Sequence, residues 1–145
     1  MYTRILIPTD GSGLSAKAIR KGVKLAAMLG ASVTGLIATP TYRMFTLDKV
    51  MSRDSLAVYE KHSRQFARRA LAAIEEEAAA RRVSCSVKHV VSDQPHQAIL
   101  SAARQARSEL IVMASHGRKG AAGLLLGSVA HKVLTHSKIP VLVCR

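Results

Sequence analysis

The chain has no tryptophan, three tyrosines and two phenylalanines, so aromatic residues make up only 3% of its 145 positions. That counts against a nucleic-acid binder that stacks bases on aromatic side chains, as does the scatter of basic residues over every predicted helix. Cysteine is limited to Cys85 and Cys144, both in apolar strand-like segments, which fits two small buried hydrophobes in a reduced cytoplasmic chain better than a disulfide scaffold. Four prolines and nine glycines are too few for a disordered or collagen-like chain. No apolar run approaches the roughly 20 residues that cross a bilayer. The opening Met-Tyr-Thr-Arg-Ile-Leu-Ile lacks the longer apolar core of a signal peptide, so a cytoplasmic location is expected. Acidic residues are also scarce: nine against 22 Lys and Arg give a formal charge of +13, a field that attracts phosphate groups.

What is present is an alternation of short apolar runs with helical periods, the signature of βαβ units on a parallel sheet. Ile5-Leu6-Ile7 forms the first strand, closed by Pro8. Ile19, Val23, Ala26 and Ala27 then recur at helical spacing opposite Lys17, Arg20, Lys21 and Lys24, and Gly30 supplies a stop. Val33 to Ala38 is a second strand, and Leu56, Tyr59, Phe66, Ala70 and Ile74 mark a long second helix to about Arg82. Its Arg64, Arg68, Arg69, Arg81 and Arg82 beside Glu75-Glu76-Glu77 read as a solvated face. The loop Thr39 to Arg53, with Tyr42, Met44 and Phe45, suits a lid or a partner surface.

Val83, Cys85, Val87 and His89 alternate with polar residues, giving a third strand with one wet face, at a sheet edge. Asp93 to Arg107 is a third helix, Leu110 to Met113 a fourth strand, Gly127 to Ser137 a last helix and Val141 to Cys144 a fifth strand. The expectation is one α/β domain over residues 1–145: five strands in the order 3-2-1-4-5, doubly wound, with four helices on the two faces. In that order strand five is an edge, yet Val141, Leu142 and Val143 are apolar throughout. A homodimer that covers this strand with its symmetry mate resolves the conflict, and packing against a helix of its own chain is the alternative.

Ligands of such sheets bind where the winding reverses, between strands one and four. Two segments meet there: Pro8-Thr9-Asp10-Gly11-Ser12-Gly13, and Ala114-Ser115-His116-Gly117 through Ser128. Glycines allow close backbone approach, and the free N–H groups of Ser128, Val129 and Ala130 at a helix start favour an anion. Phosphate is the natural occupant, with Arg118 and Lys119 able to add charge. Gly11 to Ala16 also fits G-x-G-x-x-A, the dinucleotide pattern. NAD is disfavoured, because no acidic residue closes strand two, Asp10 would face the pyrophosphate, and no substrate domain accompanies the fold. A P-loop is absent, since no Gly precedes Lys-Ser or Lys-Thr. No two histidines stand at helical i,i+4 spacing, His131 and His136 being five apart, so no metal site is expected. Adjacent Ser115 and His116 are expected to point in different directions, giving no nucleophile–base pair and no catalytic residue.

Over its whole length the sequence resembles the universal stress proteins, whose signature is Gly, two residues, Gly, nine residues, then Gly-Ser or Gly-Thr, with an Asp just after the first strand. Gly117, the nine residues Arg118 to Leu126 and Gly127-Ser128 fit at every spacing, with Ala114 replacing the first Gly. An Ala ending a strand needs no unusual backbone angle. The resemblance implies a Rossmann-like, adenine nucleotide alpha hydrolase-like fold that binds ATP, with Mg²⁺ accompanying it. Asp10 would then bond the adenosine part with Pro8 and Thr9 lining the same wall, Ile37 would pack on adenine and Met113 would close its other side. Gly117 would admit ribose and phosphate, Gly127, Ser128 and Val129 would hold the phosphates, and Arg118, Lys119 and Ala130 would add phosphate contacts. The expected role is a dimeric stress-response or signalling module with an unidentified protein partner and little or no catalysis. A slow ATP hydrolase with His116 near the phosphates and a basic nucleic-acid binder are the alternatives.

Overall fold

A computed structural model of the chain describes residues 1–45, 53–118, 123 and 125–145. Its strands are β1 (Arg4–Thr9), β2 (Ser32–Thr39), β3 (Cys85–Val91), β4 (Leu110–Ala114) and β5 (Val141–Cys144). They form one parallel sheet of order β3-β2-β1-β4-β5. The helices are α1 (Gly13–Leu29), α2 (Tyr42–Phe45), α3 (Arg53–Ala80), α4 (Pro95–Gln105) and α5 (Ser128–His136). The expected fold class holds, with both faces of the sheet covered. Among the described residues no helix is long and apolar enough to cross a membrane.

Two clusters sandwich the sheet. Ile5, Ile7, Val33 and Val112 meet Ile19 and Val23 of α1 and Leu71 and Ile74 of α3 on one face. Leu6, Leu36 and Ile111 meet Ile99 of α4 and Val133 of α5 on the other. Ile74 is fully buried, and burial of a side chain that size stabilises by roughly 1.5–3 kcal/mol. Alternate residues of β1 therefore serve opposite layers, as period two requires.

Local chemistry sets the boundaries of α1. The Ser12 hydroxyl accepts the Ser15 N–H at 3.2 Å, and Gly30 closes the helix at φ 66°, a left-handed angle suited to glycine. Four expectations need correction. The segment after β2 holds a short α2, so the described helices number five rather than four; residues 46–52 of the expected loop lie outside the described residues. The long helix stops at Ala80, since Arg82 takes φ 55°. The third expected helix is shorter, because the Asp93 carboxylate leaves it to accept the Thr41 N–H and hydroxyl, each at 2.8 Å. Val83 falls outside β3, its N–H instead closing α3 on the Ala78 carbonyl at 2.9 Å.

Among the described residues β5 lies at the sheet edge, paired only with β4. Leu142 is 44% exposed, Val141 and Val143 are half-buried, and Cys144 is buried. Burial raises the pKa of both cysteine thiols; Glu75 adds to the effect at Cys85, and Lys21 opposes it at Cys144. Of the two cysteines expected to be buried, Cys144 is and Cys85 is only half-buried, at the β3 edge of the sheet.

Candidate functional site

β1 and β4 are neighbours from which the chain winds to opposite sides of the sheet, so their carboxyl ends open a crest between two loops. On the β1 side Thr9 is buried and its hydroxyl stands 3.0 Å from the hydroxyl of buried Ser15, while also accepting the Gly11 N–H at 3.1 Å. Asp10 Oδ1 accepts the Ser12 N–H at 2.9 Å. This carboxylate is thus not a plain cap of α1, a role that Ser12 fills.

On the β4 side Ala114 ends the strand with its methyl in the core shared with α1 and α3. The Ser115 N–H donates to the Cys144 carbonyl at 2.8 Å, and the Ser115 carbonyl accepts the Gly127 N–H at 2.7 Å. That second bond folds the two ends of the glycine-rich segment together. A Cβ on Gly127 would sit 3.1 Å from the Ser115 oxygen and 3.2 Å from His116 Cα, so a side chain there would push the head of α5 back by a few tenths of an ångström. Among the described residues no side chain caps α5.

The two sides are joined by Asp10 Oδ2, which accepts the Arg118 N–H at 2.6 Å. A Cβ on Gly117 would overlap that same oxygen. The Arg118 guanidinium lies 4.7 Å from the centre of the Phe66 ring, worth about 0.5–1 kcal/mol at an exposed site. Phe66 in turn stands 2.8 Å from where a Gly11 Cβ would be, and Gly11 has φ 80°. Asp10, Gly117, Arg118, Gly11 and Phe66 therefore form one contiguous unit.

Most of the expected residues gather at this crest. Pro8 and Thr9 are buried at the end of β1, Gly117 and Arg118 are exposed, and Gly127, Ser128, Val129 and Ala130 begin α5. Lys119 lies outside the described residues. Ile37, opposite Thr9 in the register, packs in the layer under α1 and α3, whereas Met113 packs in the layer under α4 and α5. They occupy opposite faces of the sheet and do not face each other. Ser115 and His116, expected to diverge, are hydrogen-bonded through Oγ and Nδ1 at 3.0 Å, where the chain bends as it leaves β4. Phe66 and Ser15 were not anticipated; no local sequence pattern announces either contact.

One open cleft adjoins the β1 side of the crest and a second lies away from it, at the β3 edge of the sheet. The first, of about 340 Å³, lies between α1 and α3 against Thr9, Ser15, Phe66 and Ala70, and the second, of about 310 Å³, lies between β3 and α4. At the end of β2 the Thr39 hydroxyl is 2.7 Å from His89 Nε2; desolvation, reinforced by Arg64, lowers the pKa of that ring. Among the described residues no three His, Cys, Asp or Glu side chains converge as a metal site.

The sequence model of the Universal stress protein family matches residues 1–145. The Universal stress protein YxiE of Bacillus subtilis is 27% identical, with both chains covered in full. Universal stress protein MJ0531 of Methanocaldococcus jannaschii is 28% identical, over 100% of this chain and 83% of its own. Among solved structures, the hypothetical protein MJ0577 superposes with TM-score 0.83 at 24% identity, covering 99% of this chain and 96% of its own. A universal stress protein in complex with cAMP superposes at 0.68 and 24% identity, over 99% and 97%. The Archaeoglobus fulgidus protein in complex with dAMP superposes at 0.66 and 19% identity, over 99% and 98%. These three likenesses establish a shared fold.

Proposed function

The chain belongs to the universal stress protein family, and from that premise we propose that it is a nucleotide-binding module of stress response or signalling that takes ATP at the crest between β1 and β4. The observation that carries the reading is the Asp10–Arg118 bond, which makes one site out of two segments far apart in the chain. Two fold neighbours whose structures are complexes with adenine nucleotides, cAMP and dAMP, support the choice of ligand class.

The residues fit that class in their chemistry. The uncapped first turn of α5 directs the N–H groups of Ser128, Val129 and Ala130 toward an anion, with the helix dipole behind them. Arg118 adds a cation next to the same loop. Asp10 keeps lone pairs beyond its two backbone partners for a ribose hydroxyl, with Pro8 and Thr9 beside it and Ile37 beneath. Met113, on the opposite face from Ile37, would contribute through its backbone at the end of β4. Mg²⁺ would accompany the phosphates as part of the nucleotide.

The working unit in this reading is a homodimer closed through Val141, Leu142 and Val143 of β5, acting in the cytoplasm on a protein partner, with binding rather than turnover as its output. The test is calorimetric titration with Mg·ATP, run beside AMP, NAD and the Gly127→Asp variant. Micromolar ATP binding lost in the variant is the expected result. Preference for NAD, or unchanged binding in the variant, contradicts the reading.

A further inference from the structure

Ser115 is 2% exposed and its hydroxyl has one hydrogen-bond partner among the described residues, His116 Nδ1 at 3.0 Å. His116 Nε2 is sealed from water and has no partner among the described residues. The two neutral tautomers of the ring differ in what they leave unmet. With the proton on Nδ1, both the Ser115 hydroxyl hydrogen and the Nε2 lone pair are buried without a partner. With the proton on Nε2, Ser115 donates to Nδ1 and only the Nε2–H is unmet. Each buried orphan costs about 1–3 kcal/mol, so the second tautomer is the one that the surroundings select.

The unmet N–H lies beside the head of α5. His116 Cδ2, the ring carbon bonded to Nε2, is 3.8 Å from where a Gly127 Cβ would stand, and Gly127 begins the uncapped helix. An unmet buried donor beside a turn of free amides calls for an acceptor that the free chain does not supply. We infer that His116 is a phosphate-contact residue, held by Ser115 as an Nε2–H donor toward a nucleotide phosphate oxygen. The inference rests on the nucleotide reading above and deepens it. A ring nitrogen that already carries a proton cannot accept another, so at Nε2 His116 acts as a donor and not as a general base. Ser115 is its positioning residue.

Histidine-selective ¹⁵N NMR of the free chain reads the tautomer directly: wild type is expected to show Nε2–H at His116, with the preference weakened in Ser115→Ala. Calorimetry with Mg·ATP and with adenosine then compares wild type, His116→Phe and His116→Gln, each first checked for an unchanged fold by its melting temperature. ATP affinity is expected to fall roughly tenfold in His116→Phe, to recover in His116→Gln, whose amide restores an N–H donor, and adenosine affinity to stay level. An Nδ1–H tautomer, equal ATP affinity in wild type and His116→Phe, or phosphate release that disappears with His116 overturns the inference while leaving the nucleotide reading intact. Binding of neither ATP nor adenosine by the wild type overturns that reading, and the phosphate role with it.

Discussion

The carboxylate of Asp10 holds the backbone N–H of Arg118 at 2.6 Å across 108 positions of chain. Its other oxygen holds the Ser12 N–H at 2.9 Å. One side chain thus sets the entry to α1 and the start of the glycine-rich segment at the same time.

Asp10→Ala should therefore loosen two loops at once. Hydrogen bonds to a charged acceptor contribute about 1.5–3 kcal/mol each, and partial exposure at Arg118 puts the expected loss at the lower end. Urea unfolding should show a destabilisation of about 1–3 kcal/mol, and ATP affinity should fall at least tenfold. Asp10→Asn, which keeps one acceptor oxygen, should lie in between; wild-type behaviour in Asp10→Ala would remove Asp10 from the site.

Two glycines separate close approach from chain freedom. A Cβ on Gly117 overlaps Asp10 Oδ2, whereas a Cβ on Gly13 meets nothing within 4 Å. Gly117→Ala should cost about 1–3 kcal/mol and weaken ATP. Gly13→Ala, in the first turn of α1, should stabilise by about 0.4–1 kcal/mol by restricting the unfolded chain. Thermal melts of the pair, with and without Mg·ATP, check both signs.

The alternation of apolar runs with helical periods made the βαβ succession legible, and the alternating third strand its place at a sheet edge, because both are local or periodic properties. Face relations between distant strands were not legible. Ile37 and Met113 fall on opposite faces because Thr9 pairs with Ile37 while Leu6 pairs with Ile111, and that register is a tertiary fact. The Ser115–His116 bond was missed for a different reason. Divergence of adjacent side chains is a rule for extended strands, and the chain leaves β4 at Ser115. The Arg118–Phe66 stack joins a loop to α3 with no sequence pattern to mark it.

Acid should destabilise the fold in two windows. His89 has its pKa lowered by desolvation and then by Arg64; His96 has its pKa lowered by desolvation and then by Lys132 and His136. Both rings bind protons more weakly folded than unfolded, so stability is full above the ordinary histidine value near 6.5 and falls as pH drops toward the folded values. Glu109, lowered chiefly by the Thr3 N–H, then by its hydroxyl and by Arg4, adds stability above its unfolded pKa that is lost in the carboxylate range. Melting temperature should decline from pH 7.5 to 5.5 and again toward pH 4, with a shallower first decline in His89→Gln. A rise on acidification would contradict these assignments.

The β5 edge predicts a dimer that charge can break. Leu142 is 44% exposed on a strand paired on one side only, so Leu142→Lys should convert a dimeric species to a monomer by size-exclusion chromatography with light scattering. Monomeric wild type at micromolar concentration would show that the edge is tolerated uncovered.

The most direct test of the account is an amide-resolved NMR titration of the chain with Mg·ATP at about 150 mM salt, where unspecific attraction to the +13 charge is screened. The predicted result is saturable shifts concentrated at Thr9, Asp10, Gly117 and Gly127 to Ala130. Shifts spread instead over the lysines and arginines of α1 and α3, or none at all, would contradict a nucleotide site at the crest between β1 and β4.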